Sequence, residues 1–417
     1  MKRSVLIGTG AAVVVLGIGS LVVASSTTSA RVAATHPGQQ HVASAKKAAQ
    51  TISQKSAKKV HHVLTPQPSI AKTPTSASAG WSINANPLPT VGSQVNFGPI
   101  TGVGCSSQNF CTATGTTIPT VAGDLPINTN QTVLIDGRWK TSASTELTPS
   151  FLHTNPAITG PGTVSCAIGA NSCSDLSATG SFDTYVGGQW YGPDPIPYVT
   201  GNDPLTGLSC PTARFCMATD SIGNASYTID GSQWSQPTTV NLDPTGSTTP
   251  PPPQNLSCTS ASFCAAINNS GDAYIWQNGG WVGPQSLSSG NTLTNISCVG
   301  NNFCVVTDNT GHAYIWQNGK WGRATAITAS EPAVSDSGLS CATTNFCMYV
   351  QSISTGASSY TTNAYVYQGG KWTKNYSFAN AHATFDSLSC PTANFCLAGG
   401  EEGSGPNGTP YYAIYRS

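Results

Sequence analysis

An all-β ring of seven four-stranded blades, a β-propeller, is the fold that this 417-residue sequence predicts, and three observations lead there. All fourteen cysteines fall into seven close pairs: Cys105/Cys111, Cys166/Cys173, Cys210/Cys216, Cys258/Cys264, Cys298/Cys304, Cys341/Cys347 and Cys390/Cys396. First cysteines lie 61, 44, 48, 40, 43 and 49 residues apart, the period of four-stranded blades and not of the shorter helical or leucine-rich repeats. Near-identical units stand side by side, "NLSCTSASFCAAINNSGDAYIWQNGGWVG" from Asn255 and "NISCVGNNFCVVTDNTGHAYIWQNGKWG" from Asn295.

In chain order, residues 1–30 read as an export segment: Lys2 and Arg3, then the uncharged run Val5 to Ala24, then small polar residues. That run is longer than a usual signal core and just long enough to span a bilayer, and small-residue patterns end at Ala24 and Ala30. A cleaved signal peptide and a retained membrane anchor therefore both fit. Residues 31–78 carry Lys, His, Ala, Ser, Thr and Pro with no acid and no aromatic. Such a stretch cannot bury enough apolar surface to offset its ordering entropy and reads as a disordered linker. The formal net charge of zero hides a division, because residues 1–79 hold nine of the seventeen Lys and Arg and none of the seventeen acids. The basic linker is a solvated tether, with contact to anionic lipid or envelope polymer as its sharper use. Either way the chain belongs outside the cell or on its surface.

Residues 79–417 form the propeller domain. Each unit runs as a short strand ending in Cys, a turn, "FC" with a few apolar residues, a Gly-containing turn, an aromatic-rich strand, and a two-residue turn ahead of Trp. The turns Asp136-Gly137, Gly187-Gly188, Asp230-Gly231, Asn278-Gly279, Asn318-Gly319 and Gly369-Gly370 favour the positive φ of tight hairpins. Alternation along strands puts Leu208, Cys210, Cys216 and Ala218 on one face and Phe215 and Met217 on the other. A small sulfur-lined face then receives the Phe face of a neighbouring blade. The second unit departs, with Ser172 in place of Phe and its cysteines seven apart.

Export and pairing point to seven disulfides within units. Zinc is the alternative, but its cysteine sites bring two close pairs or a His partner motif, and the repeats hold only His153, His312 and His382. Each bridge closes a small loop, worth about 2.4 kcal/mol on chain-entropy arithmetic. Trp139, Trp190, Trp234, Trp281, Trp321 and Trp372 end units one to six, while unit seven ends "YYAIYRS" without one. "AGWSI", Ala79 to Ile83, offers the missing Gly-Trp strand, so the N-terminal strand should complete the last blade and leave no free edge.

Units of the form "LSCPTARFCMATDSIGNASYTIDGSQWSQP" resemble the disulfide-stapled repeats of secreted actinobacterial seven-bladed propeller proteins, a group loosely allied with sialidase-like and lectin-like propellers. The resemblance covers residues 79 to 417 and implies the fold. Propellers host hydrolases, lectins and scaffolds alike, so it does not imply one function.

The turns after second and outer strands emerge on one face, the top, and those after first and third strands on the bottom. Fourteen of the seventeen acids sort to the top, Asp175, Asp220, Asp308, Asp336 and Asp386 among them, and no Lys or Arg does. Turn chemistry accounts for part of this; the remainder is a single-signed field able to gather Ca²⁺ or a cationic partner. Units one, six and seven carry longer top loops and are neighbours in a closed ring. Asp124, Tyr360, Glu401 and Glu402 are therefore the candidate binding residues, with Asp124, Glu401 and Glu402 a candidate calcium set.

No Ser/His/Asp spacing, phosphate loop or metal motif appears, the propeller has four arginines with none on top, and the Asp-box of sialidases is missing. The sequence therefore reads as an exported, monomeric, non-catalytic binding or scaffold module with a glycan or protein ligand on its acidic face, no nucleic acid partner and no catalytic residue. A secreted glycan-cleaving enzyme of sialidase-like or other glycoside hydrolase type is the alternative.

Overall fold

A computed structural model describes residues 80–84, 88, 95–119, 129–141, 163–176, 181–196, 205–231, 233–240, 252–328, 333–403 and 408–417. The predicted export segment, the predicted linker and Asp124 lie outside the described residues. The chain divides into two units, Met1–Thr73 and Pro74–Ser417, and the second holds all the structure described below.

That unit is seven antiparallel sheets, six built from consecutive strands and the seventh from the last three strands with the N-terminal one, as the repeat predicts. The inner strands are Val95–Ser107, Thr163–Ala167, Leu205–Ser209, Pro253–Ser260, Leu293–Cys298, Asp336–Thr343 and Ala383–Thr392, and they define blades 1 to 7 in order. Five of the six predicted hairpin turns place both central residues at positive φ, for example Asn278 at 54° and Gly279 at 78°. The sixth does not. Around Gly231 the Asp230 carboxylate instead accepts from Thr228 Oγ1 and the Gln233 N–H, and the outer strand of blade 3 shrinks to Thr238–Thr239.

The disulfides are the seven that the spacing predicts, one between the first and second strands of each blade. They are Cys105–Cys111, Cys166–Cys173, Cys210–Cys216, Cys258–Cys264, Cys298–Cys304, Cys341–Cys347 and Cys390–Cys396, with Cα–Cα distances of 3.9–4.1 Å. No cysteine is free, so none of the fourteen offers a thiolate to zinc. The extra residue between Cys166 and Cys173 goes into the turn and leaves the two directly opposite one another, as Cys105 and Cys111 are in blade 1. The second cysteines lie on the more enclosed strand: Cys111, Cys173 and Cys396 are all buried, and Cys173 packs beneath Phe110 of blade 1 while Cys396 joins the core between blades 6 and 7.

The packing between blades follows from alternation. Leu208, Cys210, Cys216 and Ala218 meet Leu176 and Phe182 of blade 2, while Phe215 and Met217 meet Leu256, Cys258, Cys264 and Ala266 of blade 4. Phe263, Phe303, Phe346, Phe395 and Phe110 repeat the contact on to the next sulfur face. Each fully buried side chain of this size contributes roughly 1.5–3 kcal/mol, so the core is a ring of wedges with the bridges as thin spacers.

Closure is as expected. Gly80–Ile83 pairs antiparallel with the third strand of blade 7, Trp81 opposite Tyr415 and Ile83 opposite Ala413. The Trp81 ring lies 5.5 Å from Tyr415 and 5.3 Å from Phe378, the place that Trp281 takes beside Trp276 in blade 4.

Inner strands carry a second closure that the repeat spells as "SC". The serine before a first cysteine accepts a hydrogen bond from the first-cysteine N–H of the next blade. Ser165 serves Cys210, Ser209 serves Cys258, Ser257 serves Cys298, Ser297 serves Cys341, Ser340 serves Cys390, and Ser389 serves Cys105, all at 2.8–2.9 Å. These N–H groups belong to the edge that faces the central channel and would otherwise lack a sheet partner. The series breaks once. Blade 1 has Gly104 at the serine position, and a Cβ there would stand 2.8 Å from both Cys166 Sγ and Val164 Cγ1. Blade 2 packs too closely for a latch, and its first turn instead donates the Gly169 N–H to the Ser106 carbonyl at 2.8 Å.

Candidate functional site

The long top loops predicted for units one, six and seven are largely strand. In blade 6 the second and third strands run Phe346–Gly356 and Ser359–Gln368, joined by a tight turn. The second strand continues nine residues past Cys347, where blade 5 stops four past Cys304. At about 3.3 Å per residue the additional five lift the tip by about 16 Å. Ser, Thr and Tyr are rich in this stretch and suit a ribbon that is buried at its base, at Ser352 and Thr362, and exposed at its tip. Blades 7 and 1 also run long, to Glu402 and Pro119. Three neighbouring blades thus raise a wall on one side of the top face.

At its foot lies the mouth of the channel. Four residues before each first cysteine stand Thr101, Thr206, Gln254, Thr294, Ser337 and Asp386, with Gly162 outside the described residues. In blades 1, 3, 4, 5 and 7 this residue is the extra one of a register shift against the second strand, and a bulge re-aims the side chain. Asp386 is the one charge in the set. It touches water, yet the channel walls surround it. Burial first, then the Asp336 and Glu401 carboxylates, push it up to about 7. Asp336, five before Cys341, occupies a position held elsewhere by Ile100, Leu205, Pro253, Leu293 and Phe385, and its own burial raises it. The mouth therefore holds three mutually repelling carboxyls, one of which, Asp386, is pushed into the neutral pH range.

Glu401 and Glu402 part company, because consecutive strand residues face opposite ways. Glu401 acts on Asp386. Glu402 turns toward blade 6 and accepts from Asn380 Nδ2 at 2.8 Å. The same turn receives the tip of the blade 6 hairpin: Tyr360 donates its N–H to the Ala381 carbonyl, and His382 Nδ1 donates to the Ser358 carbonyl, both at 2.7 Å. Burial and then the Glu402 charge raise the Tyr411 phenol beside it. Of the four predicted residues, Tyr360 and Glu402 thus meet on a rim between blades 6 and 7. Glu401 faces the channel, and Asp124 lies outside the described residues. Among the described residues no three His, Cys, Asp or Glu side chains gather closely enough to hold a metal ion.

Other top acids are turn chemistry. Asp220 accepts the Ile222 and Asn224 N–H groups, and Asp308 those of Thr310 and His312. Asp175, counted among the top acids by sequence, is buried within a strand of blade 2 directly opposite Asp183. Asp386 and Asp336 escape sequence reasoning as site residues. The signal was there, in a charge at a position four or five before cysteine where other units carry neutral residues, but only alignment by cysteine makes it visible.

No protein-family model and no curated protein matches the chain. Solved structures do. YCF48 from Cyanidioschyzon merolae is 14% identical over 81% of this chain and 99% of its own, with a TM-score of 0.53. YCF48 bound to D1 peptide matches at 14% identity over 81% of this chain and 97% of its own, also at 0.53. U3-55K matches at 9% identity, covering 81% and 98%, with a TM-score of 0.50. What the chain shares with these proteins is the propeller fold.

Proposed function

We propose that this chain is an exported, non-catalytic binding module whose ligand, a protein segment or glycan bearing a cationic group, sits at the acidic channel mouth under the wall of blades 6, 7 and 1. The observation that carries the reading is the coincidence of the raised hairpins with Asp336, Asp386 and Glu401. A cation placed there relieves repulsion among carboxyls held close by a rigid ring. The seven disulfides fit an oxidising compartment, and among the described residues no helix is long and apolar enough to cross a membrane. A similar fold holding a D1 peptide in YCF48 supports a peptide partner over a glycan.

The test is binding of basic, neutral and acidic peptides and of a glycan array to the exported protein. Salt-sensitive capture of basic ligands, lost in Asp386→Asn/Glu401→Gln, is the expected result; undiminished capture by that variant sinks the reading. Calcium remains a candidate ligand for the predicted set Asp124, Glu401 and Glu402, of which Glu402 is already engaged by Asn380. At a hundred times its dissociation constant it would add about 2.7 kcal/mol of stability.

One observation favours the hydrolase alternative. A carboxyl raised to about 7 beside ionised neighbours is the environment of a glycosidase general acid. Turnover of chromogenic glycosides by the wild type and none by Asp386→Asn would establish it over simple binding.

A further inference from the structure

The bottom of the ring differs from the top in both charge and shape. All eight described Lys and Arg lie in bottom turns or in and beside outer strands: Arg138, Lys140, Arg214, Lys320, Arg323, Lys371, Lys374 and Arg416. None of them forms an ion pair among the described residues, where the sole carboxylate bridge is His312 to Asp308. At the lower end of the channel a cavity of about 420 Å³ is lined by the first-cysteine segments of all seven blades, and no charged side chain contributes to it. Its serine hydroxyls and edge N–H groups are already joined in the latches described above. Its apolar lining is Val164 and the edges of Leu208, Leu256 and Leu388, whose side chains pack mainly in the cores between blades, with Ile168 at the rim. Ile168 is 67% exposed; of the exposed large apolar residues beside bottom turns, which include Val186 and Ile229, it is the one that lines this cavity. A charged group entering the cavity would lose water without finding a partner; a compact aliphatic one would not. Between blades 7 and 1 a second hollow of about 310 Å³ brings Arg416 together with Gln108, Asn109 and the Asp136-Gly137 turn, and Arg138 follows directly.

We infer that this face docks an acidic peptide segment with one aliphatic anchor. The anchor fills the neutral cavity beside Ile168, and a carboxylate a few residues along reaches Arg416 and Arg138 in the radial hollow. Extended chain covers about 3.3 Å per residue, so six residues span roughly 20 Å. Charge complementarity selects an anionic ligand, and the neutral, partly apolar cavity at its centre selects a peptide over a polyanion or a membrane surface. The inference concerns the opposite face from the proposed site and stands without it.

Fluorescence anisotropy on the full-length exported protein tests it, with a labelled decapeptide of Asp, Glu and Gly around one central Leu. Saturable binding is expected, weakened tenfold or more by Leu→Gln in the peptide, by Ile168→Asp, and by Arg138→Glu. Both altered protein side chains are exposed, and an unchanged melting curve confirms that each variant folds. Asp386→Asn/Glu401→Gln should bind as wild type does, so failure of the top-face reading leaves this outcome intact. Polyglutamate or phosphatidylglycerol vesicles bound as tightly as the Leu peptide, and equally by Ile168→Asp, would show charge attraction alone and overturn the inference. Absence of decapeptide binding overturns it as well.

Discussion

Blades 5 and 6 are built on one pattern and use the fourth position after the second cysteine in opposite ways. In blade 5 it is Asp308, fully buried, accepting from the Thr310 and His312 N–H groups at 3.0 and 2.9 Å, from Asn291 Nδ2 at 3.0 Å and from the Tyr314 hydroxyl at 3.0 Å. Asp220 and Asn268 cap the same turn in blades 3 and 4. In blade 6 it is Gln351, equally buried, and neither its amide nitrogen nor its oxygen has a protein partner. The chain runs on there as strand, so no turn N–H groups wait to be capped. A blade can end in a polar turn that anchors it, or continue upward as a hairpin that reaches for something else. The regular blades hold the ring, and blades 6, 7 and 1 carry what is particular to this protein.

The largest expected effect comes from opening the elaborated side. A chain truncated past Ile83 loses Trp81 and bares the third strand of blade 7, so its melting temperature should fall by about 10 °C or more relative to truncation at Ala71. Equal melting temperatures would mean that the ring does not depend on this strand.

Next in size, Asp308→Ala should cost about 3 kcal/mol by denaturant titration, since it strands several buried donors at once. Burial by itself would raise this carboxyl. The N–H groups of His312 and Thr310 and the Asn291 amide outweigh it and hold the carboxyl below its ordinary value. Its contribution is therefore complete above the unfolded-state pKa and lost as pH falls through the lower folded value. The gap between wild type and Asp308→Ala should narrow in acid. A cost independent of pH would show that the carboxylate is not the anchor.

Ser257→Ala should cost about 1 kcal/mol, the loss of one latch to Cys298 with its N–H left at the channel wall. Gly104→Ser, at the one position without a latch, should destabilise instead of completing the series, because its Cβ meets Cys166 and Val164. Stabilisation by Gly104→Ser would remove the packing explanation of that break.

Asp386→Asn acts at a similar scale and only in one pH range. With the folded pKa raised to about 7, the native state holds its proton between about pH 4 and 7 while the unfolded state has lost it. Wild-type stability falls across that interval. Water reaching the side chain screens the effect, leaving about 1 kcal/mol. The variant should match wild type at pH 4 and exceed it by that amount at pH 8; a pH-independent difference refutes the crowded-carboxyl description. Smallest of all, Gln351→Leu should be neutral or stabilising by up to about 1 kcal/mol, since it removes a buried amide without partners.

Seven blades, seven bridges from Cys105–Cys111 through Cys166–Cys173 to Cys390–Cys396, and the closing strand at Trp81 were all legible in the order of residues. Each depends on local period and on alternation along a strand. Cysteine spacing set the blade count, tight-turn residues such as Asn278-Gly279 set the hairpins, and a missing Trp in unit seven pointed to Trp81. The serine latches were spelled in "SC" but carried no meaning until neighbouring inner strands lay side by side, since Ser257 and Cys298 are 41 residues apart. The site was legible only in outline. Acids on one face follow from the placement of turns, yet residue order does not say which of them cap their own turn, as Asp308 does, and which crowd a shared space. Glu401 and Glu402, adjacent in sequence, were separated by strand pleating. Asp336, Asp386 and Glu401 were brought together by a bulge and by the meeting of two blades around one axis. Local interactions are written within a few residues of one another; the electrostatics of a channel mouth depend on distances between segments that only the closed ring defines.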